Sequence, residues 1–369
     1  MLKTLLKDLY ARGPLAHRKD AEQASAPADH ERWLEDLIVR MFHLLHNFEQ
    51  DNFDADRYRN EPPNAFFADR HAAYFAFFLK NVERFFQARQ LLDDEASRTL
   101  YDQLILFRVL GHLHARLPFN TPENRKHIAT AASWRVEDTE DAGAYGPLSI
   151  FLVPRRDIRV KGWKENVAWT FLYRQYFFER SGVAIKPETG EHVIDAGGCF
   201  GDTALGFADA VGEAGHVYVF DPLPKHCKIM GQQLILNPLL ASRISIFPFG
   251  LTDQVNEVAP LAEDGRIDPG ARILSSAMPT TTIDEAVAKG SAPRVDFIKM
   301  DIEGSELSAL LGSEATIRRW RPKLAISLYH RPEDFFSIPS WIDSLGVEYR
   351  FYLDHYSIHH EETVLFAAV

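Results

Sequence analysis

A turn that is rich in glycine and bordered by carboxylates carries the clearest chemistry in the chain. Residues 195–202 read DAGGCFGD, after an apolar run typical of a strand and before a segment typical of a helix. Glycine lets the backbone turn sharply and lets a ligand approach without a Cβ in the way. The amides at the start of the following helix can donate hydrogen bonds to an anionic group such as a carboxylate. The pattern therefore indicates a small-molecule site at the end of a strand.

The residue types around this turn discriminate between cofactors. A dinucleotide fingerprint needs glycine at positions 197, 199 and 202, but this chain has Gly197 followed by Cys199 and Asp202. Nicotinamide and flavin cofactors are therefore disfavoured. Asp195 and Asp202 favour a cationic ligand, and Asp221, at the end of the next apolar run, can accept hydrogen bonds from ribose hydroxyls. S-adenosylmethionine, which carries an ammonium, a sulfonium and one carboxylate, suits this lining.

Two later loops carry further candidates. Leu251 and Asp253 follow the third predicted strand, where Leu251 can press on an adenine face and Asp253 can meet its amino edge. A turn or helix-cap role for Asp253 is an equal alternative. Asp301 and Glu303 follow the fourth predicted strand, and two acids beside a cationic methyl donor can orient an acceptor, take its proton or hold a metal. Glu306, in the next helical turn, is interpreted as a complement to the helix dipole.

A parallel sheet is the element that must position these loops. From residue 191 onward, apolar runs at 192–194, 217–220, 244–247, 295–300 and 324–328 alternate with helical segments. This alternation predicts βαβ crossovers and an α/β fold with a mostly parallel sheet, covered on both faces. Two final runs, at 349–353 and 363–368, predict an antiparallel hairpin at one edge. Because ligands bind beyond the carboxyl ends of parallel strands, the candidate residues should share one crevice.

The order of these motifs resembles that of a known family. The blocks DAGGCFGD, VYVFDP, FGLTD, TTIDE, FIKMDIEGSE, SLYHRPEDFFSIPSWI and YRFYLDHY occur in the order found in the FkbM family. The resemblance extends over residues 163–369. It implies the Rossmann-like class I methyltransferase fold and S-adenosylmethionine as cofactor. Members mostly methylate hydroxyl oxygens of sugars and secondary metabolites, so the resemblance predicts an O-methyltransferase acting on a sugar, glycoside or natural product.

The resemblance also assigns parts of the chain to parts of the cofactor. It places the turn at the methionine end, the acid after the second strand at the ribose, and the loop at 250–253 near the adenine. It also places the acid after the fourth strand near the transferred methyl group. The cofactor-binding residues so predicted are Asp195, Gly197, Gly201, Asp202, Asp221, Leu251, Asp253 and Asp301.

Methyl transfer to a neutral hydroxyl benefits from a general base. The predicted catalytic residues are Asp301, Glu303 and His330, with His355 a weaker candidate. His330 is preferred as the base because an unperturbed histidine pKa of about 6.5 needs little tuning, although His330 can instead fix a loop by bonding Asp334. No metal is included in the prediction. A divalent ion on Asp301 and Glu303, methyl transfer to nitrogen or a carboxylate, and a non-catalytic binding module remain alternatives.

The first part of the chain has a different pattern. Helical periodicity at 33–48 and 65–89, and helix starts near 93 and 121, predict an α-helical region over residues 1–140. A segment of mixed charge at 1–20, a linker at 21–28 and a break at 61–64 interrupt it. Its aromatic stripes are interpreted as a bundle whose helices bury each other, with a membrane or partner face as the alternative. A connector follows at 141–180, with short strands and a helix predicted at 165–180, and the methyltransferase domain is predicted at 181–369.

Composition limits the remaining possibilities. The 369 residues are 46% apolar and 25% charged, as in ordinary globular proteins. A formal net charge of −11 argues against a general nucleic-acid binder, which needs a basic face. The two cysteines favour a reducing compartment, and no apolar run reaches the roughly 20 residues that span a bilayer. We therefore expect a cytoplasmic enzyme with a small-molecule or glycan acceptor and no transmembrane segment.

Overall fold

The computed structural model describes residues 29–53, 68–139, 146–255, 258–259 and 278–369. The predicted segment at 1–20, the linker at 21–28 and the break at 61–64 lie outside the described residues. In the part that is described, no helix is both long and apolar enough to cross a bilayer.

Helices dominate the first part of the chain. They are α1 (Asp29–Leu44), α2 (Ala68–Lys80), α3 (Val82–Leu91), α4 (Glu95–Leu110) and α5 (Pro122–Ser133). The predicted starts of α4 and α5 are confirmed, since Asp94 and Thr121 accept hydrogen bonds from first-turn amides. The single helix predicted at 65–89 is wrong, because the chain breaks at Asn81. The Asn81 side chain donates to the carbonyl of Phe77 and so competes with the helical hydrogen bonds.

A connector joins this part to the main sheet. Its strands and helix are β1 (Arg135–Asp138), β2 (Ser149–Val153), β3 (Ile158–Gly162), α6 (Lys164–Val167), a π-helical turn (Ala168–Tyr173), β4 (Phe178–Arg180) and β5 (Val183–Ile185). Strands β1 to β3 form an antiparallel sheet. The helix predicted at 165–180 is wrong in its second half. Arg174 has a positive φ of 54°, which ends the helical turn and lets the chain continue as β4.

Strands and helices then alternate as predicted. The strands are β6 (His192–Ala196), β7 (His216–Phe220), β8 (Ile244–Phe247), β9 (Gly250–Leu251), β10 (Val258–Ala259), β11 (Met278–Thr281), β12 (Phe297–Met300), β13 (Lys323–Ser327), β14 (Arg350–His355) and β15 (Thr363–Ala368). The helices are α7 (Asp202–Val211), α8 (Pro224–Leu236), α9 (Pro238–Ala241), α10 (Ile283–Ala288), α11 (Glu306–Leu311), α12 (Glu314–Trp320) and α13 (Asp334–Ser344).

Seven of these strands form the main sheet. Their order is β14-β15-β13-β12-β6-β7-β8, and the five strands from β13 to β8 pair in parallel. Strand β15 runs antiparallel between β13 and the edge strand β14. The predicted mostly parallel sheet, with its antiparallel terminal hairpin, is confirmed. The loops that follow β6, β7 and β12 therefore open at the same edge.

The N-terminal helices pack against this sheet unit. Phe85 on α3 contacts Phe336 on α13, with ring centroids 5.0 Å apart. The Tyr101 hydroxyl on α4 donates to the carbonyl of Phe335, and one continuous core joins these helices to one face of the sheet. The expectation that the aromatic stripes only bury each other is therefore wrong, because α13 supplies apolar surface that completes their burial.

Candidate functional site

The glycine turn after β6 presses closely against the end of β12. Gly197 has a φ of +79°, and a Cβ at this position would overlap the carbonyl oxygen of Asp301. Gly201 has a φ of +85° and lies immediately before α7, against Met230. Both positions need glycine for conformation and for close approach. The structure thus brings the turn into direct contact with Asp301, the residue predicted to lie near the transferred methyl group.

A Gly197→Ala substitution tests this contact. We expect it to lower the free energy of unfolding by about 1–3 kcal/mol, because the added Cβ is strained at positive φ and must displace the Asp301 backbone. Urea denaturation followed by circular dichroism measures this loss. Gly231→Ala on α8 is the matched control, because a Cβ there meets no atom within 4 Å and alanine favours the helix. Equal stability of the two variants would contradict the proposed close contact.

A buried ion pair lies beneath the turn. Asp195 and Lys299 are neighbours across the β6–β12 pair, and their side chains are 0% and 2% exposed. The Lys299 Nζ lies 3.0 Å from Asp195 Oδ1 and donates to the carbonyl oxygens of Ala196 and Gly197. The Thr203 hydroxyl donates to Asp195 Oδ2. Asp195 therefore anchors the turn through protein groups, and its predicted contact with the cofactor stays a prediction.

Asp202 and Asp221 also hold the turn in place. Asp202 accepts a hydrogen bond of 2.6 Å from the Thr170 hydroxyl on the π-helical turn, and its burial raises its pKa. Asp221 accepts from the backbone amide of Cys199 at 2.9 Å, and its carboxylate lies 2.9 Å from Nδ1 of His226. Both carboxylates are buried. They rigidify the turn, and their predicted contacts with the cofactor stay predictions.

The charges around the turn fit a cationic cofactor. Asp195, Asp301 and Asp202 all interact electrostatically with Lys299. Burial raises the pKa of the Cys199 thiol, and the nearby carboxylates of Asp202 and Asp221 raise it further. These four carboxylates outnumber the one lysine ammonium among them. The excess negative charge suits the sulfonium and ammonium of S-adenosylmethionine and would repel a pyrophosphate.

The loop after β8 is held by internal contacts. Leu251 is buried in the core, in the short strand that pairs with β11. Asp253 is exposed and accepts a hydrogen bond of 2.6 Å from the Ser308 hydroxyl on α11, which lowers the pKa of Asp253. This geometry agrees with the alternative interpretation, in which Asp253 stabilises a turn. The adenine contacts of both residues stay predictions.

Asp301 lies at the centre of a hydrogen-bonded cluster. Its Oδ1 accepts from the Tyr329 hydroxyl at 2.8 Å, and its Oδ2 accepts from the Tyr176 hydroxyl at 2.9 Å. Burial acts to raise the pKa of Asp301, but the positive charges of His330 and Lys299 and the two hydroxyl donors hold it below its usual value. Asp301 is therefore ionised at neutral pH and fixed in orientation.

His330 joins this cluster to two glutamates. Its Nε2 lies 3.5 Å from Asp301 Oδ1 and 3.6 Å from Glu303 Oε2, and its Nδ1 lies 2.8 Å from Glu306 Oε1. The structure thus brings together the three predicted catalytic residues. Glu306 is fully buried and also accepts from the backbone amide of Ile302. Glu306 lies in the first helical turn, as predicted, and its carboxylate also pairs with His330, a contact that the sequence did not indicate.

This environment changes the protonation of His330. Burial acts to lower its pKa, but the hydrogen bond and charge of Glu306, with the charges of Asp301 and Glu303, raise the pKa to about 9. The premise of an unperturbed histidine is therefore wrong, and His330 is mostly an imidazolium at neutral pH. His355, the weaker candidate, is buried on β14, where burial lowers its pKa to about 3.

If a metal ion binds at this site, the structure indicates ligands other than the predicted pair of Asp301 and Glu303. Within the described ranges, the group whose ligand atoms all lie within 4.8 Å of one another comprises Asp301, Glu306 and His330. The predicted pair was Asp301 with Glu303. Glu303 has a side chain that is 51% exposed, and it lies at the rim of the cluster.

An open cavity adjoins the cluster. It has a volume of about 770 Å³, and Tyr329 and His330 form part of its wall. Residues of α2 and α4, including Tyr74 and Arg108, form another part. The cavity therefore offers room for a ligand beside His330.

A family model and several solved structures are similar to this chain. Residues 195–351 match the family model described as the methyltransferase FkbM domain. The crystal structure of methyltransferase FkbM from Methylobacillus flagellatus KT is similar, with a TM-score of 0.52 and 20% identity over 79% of this chain and 60% of that one. No curated protein matches the chain.

Two further solved structures are similar at lower TM-scores. Fibrillarin from Aeropyrum pernix, in complex with natively bound S-adenosyl-L-methionine, has a TM-score of 0.34 and 12% identity over 64% of this chain and 99% of that one. A SAM-dependent methyltransferase from Aquifex aeolicus has a TM-score of 0.31 and 18% identity, over 50% of this chain and 86% of that one.

The solved structure with a TM-score above 0.5 supports the class I methyltransferase fold for this chain. The match to the FkbM domain model extends over residues 195–351, which include the glycine turn, Asp301 and His330. The predicted fold and the resemblance to the FkbM family are thereby confirmed, and the predicted enzyme class and cofactor are proposals. The chain spans about 60% of the length of the FkbM methyltransferase it resembles.

Proposed function

We propose that this chain is an O-methyltransferase that transfers the methyl group of S-adenosylmethionine in line to a hydroxyl of a sugar, glycoside or natural product. The observation that carries the proposal is the cluster of Asp301, His330 and Glu306, which lies between the glycine turn and the open cavity. A hydroxyl needs such proton-accepting groups, whereas a neutral amine is already a nucleophile.

The cofactor would lie along the loops after β6, β7, β8 and β12. When bound, it supplies an electrophilic methyl group on a sulfonium. The turn would offer backbone amides, Asp221 the ribose contact, and the loop at 250–253 the adenine contact. We propose as cofactor-binding residues those predicted from the sequence: Asp195, Gly197, Gly201, Asp202, Asp221, Leu251, Asp253 and Asp301.

The cluster would both orient the acceptor and remove its proton. Ionised Asp301 is held by the hydroxyls of Tyr176 and Tyr329, so it can accept a hydrogen bond from the acceptor hydroxyl in a fixed direction. The hydroxyl proton then passes to Nε2 of neutral His330, and Glu306 stabilises the imidazolium that forms. With a pKa of about 9, about 1% of His330 is neutral at pH 7, but that fraction is a strong base.

Acceptors that differ only in the attacking group test this proposal. The protein is incubated with methyl-labelled S-adenosylmethionine and paired acceptors carrying either a hydroxyl or an amine on the same scaffold. We expect O-methylated product, and a loss of about 10²–10⁴-fold with His330→Ala. His46→Ala, at an exposed histidine on the chain after α1, is the matched control.

Three outcomes would contradict the proposal. Transfer to the amine alone, unaffected by His330→Ala, would indicate an N-methyltransferase. Activity that is abolished by a chelator and restored by a divalent ion would favour the metal alternative at Asp301, Glu306 and His330. Cofactor binding without transfer to any acceptor would favour a non-catalytic module.

The remaining assignments also stand as proposals. We propose a helical region at 1–140, a connector at 141–180 and the methyltransferase domain at 181–369. The low cysteine count supports a cytoplasmic location, and the cavity supports a small-molecule or glycan acceptor.

A further inference from the structure

The cavity beside the catalytic cluster has an unusual charge for this chain. The formal net charge of the protein is −11. The described lining of the cavity nevertheless contains two arginines, Arg70 and Arg108, and five histidines, against the single carboxylate of Glu361. The cavity therefore presents positive charge in an otherwise acidic protein, and such a cleft concentrates anions.

Arg108 gives this charge a fixed direction. Its Nη2 donates to the carbonyl of His360 at 2.9 Å, and its guanidinium lies 4.7 Å from the centre of the Phe335 ring. Its Nε is buried and has no hydrogen-bond partner among the described residues. Asp334 and Glu361 interact with Arg108 electrostatically, but burial raises the pKa of Asp334 to about 7, which reduces its compensating charge at neutral pH.

A second unsatisfied group lies on the same wall. The Tyr74 hydroxyl is buried without a hydrogen-bond partner in the described part of the chain, and its ring lies 5.8 Å from the Arg108 guanidinium. Burial raises the pKa of Tyr74 to about 12, so the hydroxyl remains a donor at every working pH. Buried donors without partners are costly. The Nε of the Arg108 guanidinium and the neighbouring Tyr74 hydroxyl are two such donors, and together they suit an anionic ligand group.

The rest of the wall is aromatic. Phe53, Phe77, Phe107 and Tyr329 line the cavity together with Tyr74. Flat aromatic side chains pack against aromatic rings and against the apolar faces of sugar rings. A ligand that satisfies both features combines a ring with an anionic substituent.

We infer that the methyl acceptor is an anionic ring compound, a hydroxylated ring that carries a carboxylate or a phosphate ester. This inference rests on the proposed function, because it names the substrate of the same site. Arg108 and Tyr74 bind the anionic group, Arg70 adds charge near the opening, and the aromatic side chains hold the ring so that its hydroxyl faces His330.

Matched ligand pairs test the inference by calorimetry on the full chain saturated with S-adenosylhomocysteine. The pairs are 4-hydroxybenzoate with 4-hydroxybenzamide, and glucose 6-phosphate with glucose. We expect the anionic member of at least one pair to bind about tenfold or more tightly than its neutral partner, as one hydrogen bond to a charged group provides. The pair that shows the preference identifies the anionic group as carboxylate or phosphate.

Arginine variants then show which residues cause the tighter binding of the anionic ligand. Arg108→Gln should reduce it about tenfold, while Arg32→Gln, at an exposed arginine on α1, should leave it unchanged. Because Arg108 is packed against Phe335, Arg70→Gln at an exposed position of α2 serves as the second variant. Arg70→Gln should weaken the binding of the anionic ligand about threefold and leave the binding of the neutral ligand unchanged.

Equal binding within both pairs, or an anion preference that neither arginine variant changes, would overturn the inference. Methyl transfer to neutral acceptors with equal efficiency would overturn it as well, while leaving the proposed function intact. Failure of transfer to hydroxyls of every kind, with S-adenosylhomocysteine bound, would instead contradict the proposed function.

Discussion

Replacing Lys299 by methionine is expected to lower the free energy of unfolding by about 3–5 kcal/mol, because it leaves a buried carboxylate without its partner. Asp195 is fully buried, and the Lys299 ammonium is its cationic neighbour at 3.0 Å. The same ammonium also binds two carbonyl oxygens of the glycine turn. Urea denaturation of the native protein and the variant at pH 7 measures the loss.

A double variant separates the unpaired charge from the loss of packing. Lys299→Met combined with Asp195→Leu removes both charges, and replacing a buried ion pair by apolar groups is often close to neutral. We therefore expect the double variant to recover most of the stability that the single variant loses. A single variant that loses less than about 1 kcal/mol would show that the pair is not buried as described.

Replacing Glu306 by glutamine is expected to shift the pH dependence of catalysis to lower pH. Glu306 contributes most to raising the pKa of His330 to about 9, and the removal of an opposite charge in contact changes a pKa by about 1–3 units. In the native protein, kcat/KM should rise with pH up to about pH 9, as neutral His330 accumulates. In Glu306→Gln the plateau should begin at lower pH, and its height should fall because the weaker base is less effective.

The pH profile of kcat/KM for both proteins measures this shift. The charged groups that face His330 are Glu306, Asp301, Glu303 and Asp334. Glu303→Gln is the matched control, since Glu303 is more exposed and more distant, and its shift should be smaller. Identical profiles for native protein and Glu306→Gln would exclude His330 as the group that titrates.

The same pKa shift predicts a pH dependence of stability. The folded-state pKa of His330, about 9, exceeds the unfolded value of about 6.5. The protonated ring therefore stabilises the fold fully below about pH 6.5, and this contribution is lost as pH rises from about 6.5 to 9. The free energy of unfolding, measured by denaturation between pH 6 and 9.5, should fall as pH rises. This fall should be shallower in His330→Ala. Parallel curves for the two proteins would contradict the raised pKa.

The strands, the glycine turn and the acids at the strand ends could be predicted from the sequence because local patterns encode them. Apolar runs of strand length separated by helical segments indicate parallel strands, and the loops at their carboxyl ends then share one edge. The contact between Gly197 and Asp301 follows from this topology, because both residues come directly after neighbouring parallel strands. The helix starts at Asp94 and Thr121 could likewise be predicted from nearby residues, because each capping side chain accepts a hydrogen bond from an amide three residues later.

The interactions that decide protonation could not be predicted in the same way. Lys299 lies in an apolar strand, which is a signal that an unusual charge is buried, but its partner Asp195 is 104 residues earlier. Glu306 has the sequence context of an ordinary helix start, and only its complete burial beside His330 shows that it raises the pKa of the ring. Such pairs depend on which loops meet in space, and residue type alone does not report burial.

The break at Asn81 and the end of the π-helical turn at Arg174 were missed for a related reason. Apolar periodicity continues across both positions, so the hydrophobic pattern predicts a single helix in each case. A side-chain hydrogen bond at Asn81 and a positive φ at Arg174 interrupt the helices. The aromatic stripe of α3 was correctly predicted to be buried, but its main partner, α13, comes from the far end of the chain.

Calorimetric titration of S-adenosylhomocysteine into the native protein and Asp221→Ala tests the central claim most directly. We expect the native protein to bind with micromolar affinity, about −8 kcal/mol. Asp221→Ala should lose most of this binding, because it removes both the proposed ribose contact and the bond that fixes the Cys199 amide. Absence of binding to folded native protein, or equal binding by both, would contradict a cofactor site built on this turn.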